Sequence, residues 1–240
     1  MQSISDSLLL AWHLLLTLEP GFLSIVGRSL AVSACACALA CCLGLVLGAW
    51  LGVARFTGRA LVLTFLNTAL AVPSVVVGLV VYLLLSRSGP LGFLGWLFSF
   101  KAMVLAQAML VLPLVTALTR QLVHDADQTH GEQLQSLGAG VGLRSLLLAW
   151  DERHALLVVV LTAFGRAISE VGAVMVVGGN MEGFTRVMTT AIALETSKGD
   201  LPLALALGCA LLAVVLVLNA LVALLQRLGY GTALRPGALA

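Results

Sequence analysis

The sequence predicts an all-α integral membrane protein, and three observations carry that prediction. Of its 240 residues 60% are hydrophobic and only 10% charged, with a mean hydropathy of +1.09, whereas soluble domains carry charge on roughly a quarter of their residues. Five apolar stretches are long enough to cross a hydrocarbon core, which takes about 20 apolar residues per helix. Nearly all the charge and turn chemistry falls between those stretches. The net charge of +2, with no basic run, excludes a nucleic-acid-binding surface. The residues left outside the membrane are too few for a separate enzyme domain.

The spans are expected at residues 29–54, 61–85, 102–119, 155–178 and 201–225. Residues 1–28 read as an N-terminal interfacial segment, 29–225 as the transmembrane domain and 226–240 as a tail. An early helix over residues 5–18 lies in the interface or makes a sixth crossing. It carries Asp6 and no positive charge ahead of its apolar run, unlike a signal peptide. Thr57-Gly58, Ser88-Gly89-Pro90, Gly178-Gly179-Asn180 and Lys198-Gly199-Asp200 punctuate the gaps.

The first span repeats glycine every fourth residue, at Gly44, Gly48 and Gly52. Lipid offers little hydrophobic drive between helices, so a stripe without side chains lets two backbones approach and gain dispersion contact. Pro73 in the second span and Pro113 in the third each remove a backbone donor and are expected to kink their helices.

The five cysteines, Cys35, Cys37, Cys41, Cys42 and Cys209, all sit in apolar stretches. Packing accounts for them; Cys37 and Cys41 share a helix face, so a soft-metal site is the alternative. His124 and His130, six apart beside Asp125, Asp127 and Glu132, do not share a helix face, and no metal is expected there.

The segment 120–154 is the most polar of the chain. Glu132 to Leu137 favours helix, Gly138 to Gly142 ends it, and Leu143 to Trp150 forms a second, more apolar segment lying against the membrane. A compact helical loop of this kind suits a groove on another protein.

Two charges interrupt the fourth span. Arg166 and Glu170 stand four apart, so they can neutralise each other on one helix face, and intramembrane charges face the bundle interior or a water-filled path. They either fix helix packing as an internal ion pair or form a polar constriction, with Ser169 alongside. Arg166 presents a planar set of charged donors, and Glu170 is better suited to a gate or a brake on Arg166 than to a ligand. Gly178, Gly179 and Asn180 end that span, either as a plain helix stop or as an outer turn whose amides face an anion. The mixed charges of 181–202, among them Glu182, Arg186, Glu195, Lys198 and Asp200, read as a docking surface or as a solvated loop.

The spacing from Glu132 to Leu137-Gly138-Ala139-Gly140 resembles the cytoplasmic coupling loop of bacterial ABC importer permeases, in which glycine follows the leading glutamate by six. Gln133 and Leu134 stand where that motif has two alanines, and no proline closes it near residues 148–151. The stretch from Phe164-Gly165-Arg166 through Ser169-Glu170-Val171-Gly172-Ala173 to Gly178-Gly179-Asn180 is similar to the fourth span of oxyanion permeases for molybdate and, more closely, tungstate. The resemblance implies the bundle shared by methionine-type and molybdate-type importers, working as a homodimer in the cell inner membrane. It implies two cytoplasmic ATPase subunits that bind ATP and magnesium, and an extracytoplasmic oxyanion-binding protein; this chain holds no cofactor and has no Gly-x-x-x-x-Gly-Lys-[Ser/Thr] loop of its own. With the loop facing the ATPase, the N-terminus lies outside and the C-terminus in the cytoplasm, and Arg55, Arg59, Arg120, Arg144, Arg153, Arg227 and Arg235 fall inside. Glu132, Leu137, Gly138, Ala139 and Gly140 carry the coupling, and Arg166, Ser169 and Glu170 the path or gate. The expected cargo is tungstate, with molybdate or sulfate as alternatives. A membrane-embedded redox or metal protein and a passive channel are the competing classes.

Overall fold

The computed structural model describes Leu10, Trp12, Thr17 and residues 19–233, with side chains through residue 226. Apart from Leu10, Trp12 and Thr17, the early helix expected over 5–18 lies outside the described residues, as do residues 234–240 of the tail. The described elements are helical: α1 Pro20–Val53, α2 Arg59–Ala71, α3 Ser74–Leu85, a 3-10 turn at Gly92–Leu94, α4 Phe100–Ser136, α5 Val141–Asp151, α6 Arg153–Ile168, α7 Gly172–Gly178, α8 Met188–Lys198 and α9 Leu201–Ala233. Helices α1, α4 and the stretch Leu201–Gln226 of α9 are each long and apolar enough to cross a membrane. The pairs α2/α3 and α6/α7 qualify as two further spans if each bent pair counts as one.

Four boundaries differ from the sequence expectation, each for a physical reason. Helix α1 starts at Pro20, not residue 29. Proline suits the first helical turn, and the charge of Arg28 is satisfied because its guanidinium donates to the carbonyls of Gly183 and Arg186 at 2.6 and 3.1 Å. The second span does not merely kink at Pro73; it breaks there, between α2 and α3. Helix α4 runs past residue 119 to Ser136, through the first half of the segment expected to be a loop. Its extension keeps an apolar face, on which Val123 and Ala126 are buried, and it continues through Pro113 as one helix. The fourth span is interrupted at 169–171, where α6 and α7 bend by 57°.

The chain packs as two compact units. One comprises residues up to Ala36, Val72–Met109 and Gly165–Leu216. Here α3 lies on α7, and Gly78 makes the contact possible: a β-carbon at 78 would sit 2.7 Å from the Ala173 Cα. The segment expected to be an outer loop contains α8, whose Glu195 is buried and paired with Lys198 at 3.0 Å and Arg186 at 3.7 Å.

The second unit comprises Cys37–Ala71, Leu110–Phe164 and the chain from Val217 onward. Its central contact is the glycine stripe of α1 against α4. A β-carbon at Gly44 would lie 2.9 Å from Val115 Cβ, one at Gly48 only 2.6 Å from the Thr116 carbonyl oxygen, and one at Gly52 3.0 Å from Val123 Cβ. Beyond the stripe, Ala49, Val53, Val123, Ala126 and Leu148 form a buried cluster that seats α5. His124 reinforces the crossing. Its Nδ1 donates to the Gly52 carbonyl at 3.2 Å, which leaves Nε2 to accept from the Gln128 amide at 3.1 Å. Helix α2 has no buried residue, with Leu61 and Phe65 about three-quarters exposed.

Because the Gly48 β-carbon would collide with backbone, Gly48→Ala forces α1 from α4 and costs about 1–3 kcal/mol. Thermal unfolding in detergent checks this against Gly27→Ala, where nothing lies within 4 Å and no loss is expected.

Candidate functional site

The break in the fourth span brings together three buried polar residues of its unit, Gln107, Glu170 and Thr189. A break inside a membrane helix frees backbone groups that lipid cannot satisfy. Ser169, Glu170 and Val171 occupy this one, with Arg166 in the last turn of α6 and Ala173 in the first turn of α7. Glu170 is 4% exposed, a burial that a carboxylate tolerates only with donors around it. One carboxylate oxygen accepts from Arg166 Nη1 at 2.8 Å and the other from the Ala173 amide at 3.2 Å. Ser74, at the start of α3, is a further polar neighbour of the carboxylate. The Glu170 carbonyl accepts from Thr189 Oγ1 of α8 at 2.7 Å. On the α6 side, the Ala167 carbonyl accepts both the Glu170 amide at 3.1 Å and the buried Gln107 amide of α4 at 2.9 Å.

The structure thus joins Arg166 to Glu170 across the break, not along a continuous helix as expected. The Arg166 side chain is 47% exposed, so one edge meets Glu170 and the rest is not covered by the described residues. Ser169 is exposed and returns its hydroxyl to the Gly165 carbonyl at 2.8 Å. Ser74, Thr189 and Gln107 were missed in the sequence. Gln107 carried a signal, as a lone amide between apolar residues 102 and 112; Ser74 and Thr189 reach Glu170 only through the fold.

At the other end of α7, Gly179 and Asn180 take left-handed conformations, with φ of 67° and 49°. The Gly179 amide donates to Met175 at 3.1 Å, and Asn180 Nδ2 donates to the Thr190 carbonyl at 3.2 Å. Gly178 lies against Met103, and its carbonyl accepts the Thr185 hydroxyl at 2.5 Å. This is the geometry of a helix stop, with the Gly179 amide already spent.

The segment with the importer-loop spacing is a helical hairpin. Helix α4 ends in a pair of closing bonds, Gly138 amide to Gln135 carbonyl at 2.9 Å and Ala139 amide to Leu134 carbonyl at 3.0 Å. That closure puts Gly138 at φ +83°, a conformation glycine adopts without strain. Glu132, Leu137, Gly138 and Gly140 are exposed and Ala139 is half-buried. On α5, Ser145 and Leu148 face inward, while Leu143, Leu146 and Trp150 are more than half exposed. With Leu137, 83% exposed, they form an apolar surface of the kind that marks contact with another protein or a membrane. The acidic pair read together in the sequence is split: Asp125 lines a cavity of ≈ 1030 Å³ with Gln121, Asp151, Glu152 and His154, whereas Asp127 bonds Arg144. Cys37 and Cys41 are buried with their sulfurs 3.8 Å apart.

Apolar crossing helices, a span broken around a compensated charge and an exposed apolar hairpin define a multi-pass membrane protein. No family model matches the chain. It is 41% identical over 230 residues to the tungstate uptake system permease protein TupB of Peptoclostridium acidaminophilum, which covers 94% of this chain and 99% of that protein. It is 42% identical over 203 residues to a probable anion ABC transporter permease protein of Haloferax volcanii, covering 82% and 88%, and 38% identical over 224 residues to TupB of Campylobacter jejuni, covering 93% and 94%. The chain belongs to the ABC-transporter permeases of anion uptake, and is a transport subunit, not an enzyme.

Removing the Glu170 carboxylate leaves the Ala173 amide without its acceptor and Arg166 without its partner. Glu170→Ala is expected to destabilise the protein by about 1–3 kcal/mol, and Glu170→Gln, which keeps an acceptor, by less. Unfolding midpoints in detergent give the order.

Proposed function

We propose that this chain is the membrane subunit of an ATP-driven importer that carries tungstate into the cytoplasm by alternating access. The observation that carries the reading is the extent of similarity, over nearly the whole length, to permeases named for tungstate uptake. The chemistry of the break supports it. Arg166 offers a planar set of charged donors suited to a tetrahedral dianion, and Glu170 holds that guanidinium compensated while the path is empty. Arg166, Ser169 and Glu170 are accordingly the path or gate.

The subunit works as a homodimer in the cell inner membrane, with its N-terminus outside and its C-terminus in the cytoplasm. ATP and magnesium bind on partner ATPases, and an extracytoplasmic binding protein delivers the oxyanion. The exposed hairpin bearing Glu132, Leu137, Gly138, Ala139 and Gly140 docks on the ATPase, and rigid-body motion passes from there to the spans. In lipid the stripe Gly44, Gly48 and Gly52 keeps α1 and α4 in register during that motion.

Copurification with a nucleotide-binding subunit, followed by uptake of labelled tungstate in competition with molybdate and sulfate, tests the reading. Uptake that prefers molybdate or sulfate overturns the cargo; the absence of an ATPase partner overturns the class. Arg166→Ala is expected to lower uptake about tenfold or more, the loss of one charge-assisted contact. Ala139→Arg, placing bulk and charge in the docking hairpin, is expected to abolish ATP-driven uptake while the chain still inserts. Wild-type uptake in either variant removes the corresponding assignment.

A further inference from the structure

The ion pair between α4 and α5 is not accounted for by docking or by the path. Arg144 donates from Nη2 and Nε to Asp127 Oδ1 at 2.5 and 3.2 Å. The two side chains are only 13% and 6% exposed. Gly131, one turn after Asp127, makes the room: a β-carbon there would lie 2.6 Å from Asp127 Oδ1 and 3.2 Å from Arg144 Nη2.

Stability alone is a poor reason for such a pair. Burying two charges costs solvation that their attraction roughly repays, and apolar residues of similar volume close a hairpin as well or better. What an arginine held by two nitrogens adds is a fixed direction and separation. That matters here because the covalent link between α4 and α5 is weak in bending. It comprises residues 137–140, with Gly138 at positive φ and Gly140 unencumbered by neighbours within 4 Å. Leu148 anchors α5 near its far end in the cluster with Val53, Val123 and Ala126; near its start, Asp127 is the anchor.

We propose that Asp127–Arg144 is a clamp that makes α4 and α5 move as one body. A displacement imposed on α5 by the ATPase is then delivered to α4 and not absorbed at Gly138 and Gly140. The helix so driven also carries Gln107, whose amide bonds the Ala167 carbonyl beside the break. The inference rests on the docking reading above. Asp127 and Arg144 are positioning residues: they act through the helices they join.

The test uses the assembled importer, this chain with its ATPase and binding protein, in proteoliposomes, and reads tungstate taken up per ATP hydrolysed. In Asp127→Asn and in Arg144→Lys, copurification of the ATPase and its hydrolysis rate are expected to stay within about twofold of the unaltered complex while uptake per ATP falls about fivefold. Exchanging the pair, Asp127→Arg with Arg144→Asp, recovers the ratio to within about twofold. A purely structural pair would lower the yield of complex without changing uptake per ATP. Unchanged uptake per ATP in both single variants, with the ATPase bound, overturns the clamp, as does an assembled exchange variant that stays uncoupled. If Asp127→Asn does not assemble, Arg144→Lys decides, because it keeps the charge and loses only the two-nitrogen grip. Failure of the unaltered chain to hold the ATPase is a different result, and it overturns the docking reading instead.

Discussion

A membrane span can be interrupted only where protein groups or a water-filled cavity satisfy the backbone it exposes, and in this protein Glu170 takes up part of that task. Its carboxylate caps the Ala173 amide at the start of α7, neighbours Ser74 at the start of α3 and compensates Arg166 at the end of α6. Its carbonyl holds Thr189 of α8. Four helical ends therefore meet on one residue. Without a charged acceptor there, Arg166 would lose its ion-pair partner. The polar site and the stability of the break are one arrangement, which makes Glu170 costly to remove.

The second unit is organised on a different principle. Its helices approach through absence of side chains: Gly44, Gly48 and Gly52 bring the α1 backbone onto Val115, Thr116 and Val123 of α4. Dispersion summed over such close contact replaces the hydrophobic drive that lipid does not supply. The hairpin of α4 and α5 continues from that contact, with apolar residues at one end and the Asp127–Arg144 pair at the other. One unit thus concentrates charge where a span is broken, and the other concentrates close packing and an exposed apolar face.

How much of this was legible in the sequence differs by residue. The five apolar stretches, the α1 glycine stripe and the Arg166/Glu170 pair stand out because hydropathy and spacing of four are local properties of the chain. Pro73 marked a distortion, but whether a proline kinks, breaks or is accommodated depends on what satisfies the freed groups: α2 and α3 part at Pro73, whereas α4 passes through Pro113. The end of α4 was misplaced because Asp127 and His124 look solvent-seeking in sequence, yet both have partners, Arg144 and the Gly52 carbonyl.

By itself, the sequence determined an all-α membrane protein, its spans to within a turn or two at most ends, the importer-type loop spacing and the charged pair in the fourth span, since each follows from local composition or short-range periodicity. Only the tertiary structure decided that Glu170 lies at a break and not along a helix, that Ser74, Thr189 and Gln107 serve it, and that Asp127 belongs with Arg144 and not with Asp125. Those are matters of which polar groups find partners, and pairing between residues far apart in the chain is set by how helices are stacked, a relation no local pattern encodes.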